Sequence, residues 1–167
     1  MAERITAFAP VAPPGARVLV LGSMPSVESL NQGFYYAHPR NAFWRIMSDV
    51  FGEPFPGDIP ARIGLLTGHD IALWDVLQSC ERQGSLDSAI RQPEPNDFAA
   101  LFRRCPGIGR ILFNGGTAHR LFFKWCGQYL DGRSWQRLPS TSPAYTLSYE
   151  RKLAQWRLAL NYEHESL

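Results

Sequence analysis

The stretch RVLVLGSMPSVESLNQGFYYAHPRNAFWRIM, residues 17–47, runs from an apolar β-rich segment through Gly-Ser-Met-Pro into a cluster of Tyr, His, Arg and Asn, and then into a helical pattern. Arg17 to Leu21 is short, continuous in hydrophobicity and closed by Gly22, which suits a parallel strand covered on both faces. From residue 41 the period changes to that of a helix: Phe43, Trp44, Met47, Val50 and Phe51 share one face, and Asn41 stands where an N-cap would stand.

The same punctuation recurs. A second strand is expected at Ile71 to Val76, a third at Arg110 to Asn114 ending on Gly115-Gly116, and a fourth at Trp135 to Leu138 breaking into Pro139-Ser-Thr-Ser-Pro143. Asn96 can cap a helix with Phe98, Leu101, Phe102 and Cys105 on its apolar face, stopped by Cys-Pro-Gly. Another helix runs from Gly116 to about Trp125. The last aligns Tyr149, Leu153, Trp156 and Leu160, with Glu150, Arg151, Lys152 and Arg157 mostly off that stripe. Residues 1–16, rich in Pro and Ala, read as an irregular lead-in. Strands alternating with helices predict right-handed βαβ units and a parallel sheet, with the strand-end segments converging on one ligand-binding side.

Bulk properties fit this reading. At 167 residues, 45% hydrophobic and 19% charged, residues 1–167 are expected to form one globular domain. A net charge of +2 is far from a polycationic binder, although among the 17 basic residues only Lys124 and Lys152 are lysines. An arginine excess suits phosphate recognition, and GC-rich coding gives the same bias. Cys80, Cys105 and Cys126 form no C-x-x-C pair, which argues for reduced thiols in a cytoplasmic protein and against a zinc or iron–sulfur site. No signal peptide or membrane span is read, and nothing suggests an obligate oligomer, so a monomer is expected.

Several linked segments carry a family likeness: LGSMPS (21–26) with YYAHPRNAFW (35–44), LWDVLQSC (73–80) with GSLDSAI (84–90), ILFNGG (111–116), and LPSTSPA (138–144). In this order they resemble the uracil-DNA glycosylase superfamily, and within it the hypoxanthine (deoxyinosine) DNA glycosylase branch. The resemblance covers the chain from about Phe8 to the last helix. It implies a three-layer α/β/α fold with a short central four-stranded parallel sheet. It also implies DNA, duplex or single-stranded, as partner, a damaged base flipped into a pocket at the strand ends, and hydrolysis without metal or cofactor. Where most relatives carry a water-handling Asp or Asn after the first glycine, this chain has Met24. Where many carry a His, it has Leu138, and Asp75 takes the place of the usual base-reading Asn.

The resemblance points to Asn41 for holding the attacking water; without it, Asn41 is an ordinary helix cap. An ionised Asp75 accepts N1–H of hypoxanthine or N3–H of uracil and repels the bare N1 of adenine, whereas a strand-end Asp also caps turns. Tyr36 offers a stacking face for a flipped base, or is one more core aromatic. Gly22 and Ser23 let backbone N–H groups approach substrate. Pro25, with Ser140, Thr141 and Ser142, is expected to grip the DNA backbone. Gly115-Gly116-Thr117 resembles a phosphate-binding turn but lacks the P-loop lysine. Both lysines fall within predicted helices away from the strand ends, which favours a monofunctional glycosylase over a Schiff-base lyase. Two other classes stay open. One is a small esterase built on Ser23, with His38, His119, Asp75 or the late His164 as partners, although GSMPS is not G-x-S-x-G. The other is a non-catalytic DNA-binding module.

Overall fold

The structure, a computed structural model, describes residues 3–161. In chain order the elements are β1 (Arg4–Thr6), β2 (Val18–Gly22), α1 (Val27–Gln32), α2 (Phe43–Phe51), α3 (Ile59–Thr67), β3 (Ile71–Asp75), β4 (Leu77–Glu81), β5 (Arg91–Pro95), α4 (Phe98–Arg104), β6 (Arg110–Asn114), α5 (Gly116–Trp125), β7 (Ser134–Leu138) and α6 (Tyr149–Leu160). The predicted parallel sheet is present, in the order β3-β2-β6-β7. Its register sets Gly22 beside Asp75, Leu21 beside Phe113 and Asn114 beside Leu138. Every residue of β2, β3 and β6 is buried, which is why these strands read as unbroken apolar runs; edge strand β7 is largely exposed and correspondingly polar.

Right-handed crossovers place the helices joining β2 to β3 on one face and α5, joining β6 to β7, on the other. On the first face α2 packs against α3 and α6, with the Phe43 and Trp156 rings 6.0 Å apart and edge to face. On the second, Phe98 of α4 meets Phe122 of α5 at 5.4 Å and Trp74 of β3 at 5.2 Å. The result is the expected α/β architecture about a central four-stranded sheet.

Four details depart from the sequence reading. Residues 1–16 are not wholly irregular: Arg4–Thr6 pairs antiparallel with β4, which pairs with β5, and Val11 bridges Leu73. This small second sheet escapes periodicity because its strands are three to five residues long and β5 carries two prolines. Helices α1 and α3 are absent from the sequence expectation, although each has a side-chain cap, Ser26 for Ser29 N and Asp58 for Ala61 N. The cap of α4 is Asp97, whose Oδ1 accepts from Ala100 N at 3.0 Å; Asn96 is buried and donates its Nδ2 to the Asp75 carbonyl at 2.7 Å. Lys152 lies on the buried side of α6, not off it. His164 lies outside the described residues. Among the described residues no helix is long and apolar enough to cross a membrane.

Candidate active site

The four parallel strands deliver Gly22, Asp75, Asn114 and Leu138 to one edge, where the chain order reverses between β3-β2 and β6-β7. A cleft of about 690 Å³ opens there. Its lining includes all nine residues to which the sequence points: Gly22, Ser23, Pro25, Tyr36, Asn41, Asp75, Ser140, Thr141 and Ser142. They come from four separated segments, brought together by the parallel topology.

The floor is built on Gly22. A Cβ at this position would stand 2.6 Å from Asp75 Oδ1 and 2.7 Å from Tyr36 Oη, so the missing side chain is what lets a carboxylate and a phenol converge over the strand end. Asp75 is 3% exposed, and its Oδ2 has no hydrogen-bond partner. Burial, then the charge of Asp87, pushes its carboxyl up from 3.8 to about 7, with Arg82 pulling the other way. Tyr36 adopts a left-handed backbone (φ 53°), and its ring is backed by Phe43 at 4.4 Å. Its hydroxyl is also buried with no acceptor for its proton; burial and Asp75 drive its pKa up, and the Asn114 amide, directed at the phenol oxygen as a donor, opposes them. Buried polar atoms are normally satisfied. Here one acceptor and one donor stand together, a match for a ligand edge that offers an N–H next to a C=O.

Asp75 also carries a stability signature. Between about pH 4 and 7 the folded protein keeps a proton on Asp75 that the unfolded chain has lost. Raising pH through that window withdraws it and weakens the fold. Asp75→Asn should therefore gain stability relative to the native protein on going from about pH 5 to about pH 8, as read by urea melts at both. A difference that is flat or reversed with pH would show that Asp75 is ionised at ordinary carboxylate pH.

The turn after Gly22 is stitched to the β4–β5 loop. Ser23 Oγ donates to Asp87 Oδ1 at 2.7 Å, Val27 N donates to Ser85 Oγ at 2.8 Å, and buried Arg82 donates Nη2 to the Pro25 carbonyl and Nε to the Gly84 carbonyl. Met24 is buried, an apolar side chain where chemistry would want a polar one. Asp87 lines the cleft and has no signal of its own in the sequence, although its segment GSLDSAI carries part of the family likeness. Ser23 spends its proton on Asp87, and among the described residues no His hydrogen-bonds it, so the esterase triad is not assembled.

The Pro-Ser-Thr-Ser-Pro loop is anchored by Asn114, whose Oδ1 accepts from Thr141 N at 2.9 Å and whose Nδ2 donates to Thr141 Oγ1 at 3.0 Å. Thr141 is thereby fixed and buried, leaving Ser140 and Ser142, both half-buried, as the accessible hydroxyls. Trp156 Nε1 donates to the Pro139 carbonyl, and Lys152 Nζ to the Ser142 carbonyl at 3.0 Å. Lys152 is thus tied to the loop beyond a strand end, contrary to the sequence expectation, although it does not line the cleft. Ala42 N donates to the Thr141 carbonyl, locking Asn41 beside the loop. Asn41 is not the N-cap of α2, which is Ala42. Its Oδ1 instead accepts from Phe43 N at 2.9 Å, closing an Asx turn one residue earlier.

Gly115 (φ 94°) packs against Ser140, and the Arg137 guanidinium lies where a Cβ on Gly116 would fall, with Arg120 beside it. Both arginines line the cleft, and neither stands out in the sequence. Among the described residues no three His, Cys, Asp or Glu side chains are grouped to hold a metal ion.

The chain is similar to several known proteins. The sequence profile described as Uracil DNA glycosylase superfamily matches residues 9–164. A protein of Methanosarcina acetivorans named hypoxanthine DNA glycosylase is 32% identical over 161 residues, 93% of this chain and 97% of that one. One of the same name from Methanosarcina barkeri is 36% identical over 109 residues, 65% of this chain and 69% of its own. The solution NMR structure of a Methanosarcina acetivorans protein proposed to be a uracil DNA glycosylase superposes with a TM-score of 0.81 at 31% identity. It covers 96% of this chain and 98% of its own.

Proposed function

The chain belongs to the uracil DNA glycosylase superfamily, and from that premise we propose that it is a monofunctional DNA glycosylase removing deaminated bases, chiefly hypoxanthine, from DNA. The observation that carries the substrate is the unpartnered pair over Gly22. Asp75 Oδ2 can accept N1–H and Tyr36 Oη can donate to O6 of a hypoxanthine flipped into the cleft. Against an ionised Asp75, adenine offers a bare N1 and an amino group at those positions and sets acceptor against carboxylate and donor against donor. A neutral Asp75 could donate to N1, so this rejection of adenine is strongest above about pH 7. The names of the two Methanosarcina relatives favour the same base. Uracil shows the same N–H/C=O edge and is the second reading.

In the reaction the C1′–N9 bond breaks and its electron pair leaves with the base. Water then attacks the cationic sugar carbon and loses a proton, which neutralises the departing base anion directly or by way of solvent, so the products are the free base and an abasic sugar. Asn41 lines the cleft next to Ala42, whose N–H donates to the Thr141 carbonyl, and the second lone pair of its Oδ1 would hold that water, a task Met24 cannot perform; this supports the reading. Neither lysine lines the cleft, which supports hydrolysis that leaves an intact abasic site.

The test is a set of end-labelled duplexes carrying one hypoxanthine, one uracil or only normal bases, with abasic sites broken by alkali and read on a gel. Cutting is expected at hypoxanthine first, at uracil more slowly, and not at adenine. Cutting at uracil alone would overturn hypoxanthine as the substrate and leave the second reading of the Asp75–Tyr36 pair. Salt-dependent binding with no base release from any duplex would make the chain a DNA-binding relative without the activity.

A further inference from the structure

Beside the base cleft lies a second groove of about 570 Å³ that shares Tyr36, Asn41 and Tyr145 with it, so the two are continuous. The groove is lined by Arg40, Arg45, Arg62 and Lys152 and, among the described residues, by no Asp or Glu. In a chain of net charge +2, that is a concentration of cations in one place. Two of them are held by ring faces: Arg45 sits 3.7 Å over Tyr149, and Arg62 sits 5.4 Å over Trp44 with its Nε on the Pro56 carbonyl. Two acids on the helices that flank the groove are engaged elsewhere. Asp49 takes the Tyr149 hydroxyl at 2.5 Å, and Asp58, which does bear on Arg62, caps α3. Lys152 is 5% exposed, and its ammonium has the Ser142 carbonyl and the Tyr145 ring for company and, among the described residues, no carboxylate. A buried cation without a counter-charge costs stability, and an anion in the groove recovers it. Phe55 and Tyr145, 59% and 48% exposed, complete the walls with bare aromatic surface.

We propose that this groove receives the phosphodiester backbone on one side of the flipped nucleotide, with Arg40 and Arg45 each taking a phosphate while Phe55 and Tyr145 pack against the sugars and bases between. This rests on the DNA glycosylase reading and adds the path of the strand to it. Arginine forks fit phosphate bidentately, and alternating cations and aromatics suit a nucleic-acid strand better than an acidic peptide.

The test measures affinity for a hypoxanthine duplex across a range of salt, for the native chain and for Arg40→Gln/Arg45→Gln, whose substituted side chains are exposed. The slope of log K against log salt is expected to flatten by about 2 in the variant, near 0.9 for each phosphate no longer neutralised. A second arm replaces the phosphates on one side of the hypoxanthine, then on the other, by uncharged methylphosphonates. One side should flatten the native slope by the same amount and leave the variant unchanged. Native base release with an unchanged slope in a folded variant, or equal effects of methylphosphonates on native and variant protein, overturns the groove alone. Absence of base release from every duplex overturns the glycosylase reading instead. Should the variant fail to fold, the methylphosphonate arm on the native chain decides: no flattening from either side sinks the proposal.

Discussion

Asn41→Ala is expected to slow base release from hypoxanthine DNA by about 10²–10³-fold, the scale of losing one preorganised polar group at a reacting centre. Under the proposed role, the water held by Asn41 would meet a sugar carbon whose cationic character is short-lived, so positioning rather than basicity is what an amide can supply. The same substitution removes the hydrogen bond from Phe43 N, an Asx-turn interaction worth about 0.5–2 kcal/mol by analogy with helix caps. Melting should therefore register a modest loss while the rate collapses. Single-turnover rates at saturating protein, set beside urea melts, separate the two. Asn41→Asp is the control, because its carboxylate keeps an acceptor for Phe43 N. It should regain most of the stability and, with an anion facing the sugar, part of the rate. If Asn41→Ala cuts within about threefold of the native rate while its stability falls, Asn41 is a turn residue and the water is held elsewhere. Asp87, hydrogen-bonded to Ser23 on the same cleft, would then be the next group to change.

The parts of this site that sequence reveals are those with a local signature. Buried parallel strands advertise themselves as apolar runs stopped by Gly or Asp, and the turns that follow inherit their position from the strand; hence Gly22, Asp75 and the 139–143 loop can be placed together from the sequence alone. What sequence conceals depends on tertiary pairing. Asp87, Arg120 and Arg137 sit on an exposed loop, on an exposed helical position and at the end of an edge strand, where charged residues are unremarkable. Only the stitching of Arg82 and Ser85 to the first turn, and the glycine at 116, bring them to the cleft. Lys152 shows a different failure. The buried stripe of α6 is Lys152, Trp156, Ala159 and Leu160, and counting only apolar residues turns the helix one position away from a lysine that is in fact inside. Asn96 and Asp97 illustrate the limit of boundary reading. Both can cap a helix, and the choice falls to the residue whose neighbour is needed to hold the Asp75 carbonyl. Asp75 and Tyr36 can be singled out from the sequence, but that their oxygens are left unpaired among the described residues has no sequence signal, since pairing is decided by tertiary packing.

Gly22→Ala should be the most damaging single methyl group that can be added to this protein. The new Cβ would fall 2.6 Å from Asp75 Oδ1 and 2.7 Å from Tyr36 Oη, and side chains rarely tolerate such approaches. Neither neighbour yields freely. Asp75 ends a buried strand in register with Gly22 itself, and its carbonyl is held by Asn96. The Tyr36 ring is rigid, backed by Phe43 and set on a left-handed backbone. Overpacking of this kind costs about 1–3 kcal/mol, so the variant should still fold. Displacing Asp75 Oδ1 and Tyr36 Oη, however, moves the whole carboxyl, Oδ2 included, and the hydroxyl proposed to meet the base, and a shift of about 1 Å there is enough to cost about 10²-fold in rate. The fall in stability and the fall in rate can be separated with Gly22→Ala/Tyr36→Phe. Removing the hydroxyl removes the 2.7 Å approach and leaves the ring carbon beneath it at 3.6 Å, an ordinary separation. The double variant should therefore recover part of the lost stability in urea melts without recovering base release, because the Asp75 approach persists and the donor is gone. Base release by Gly22→Ala at the native rate would mean that the flipped base docks away from the Asp75–Tyr36 pair, and the substrate assignment built on that pair would go with it.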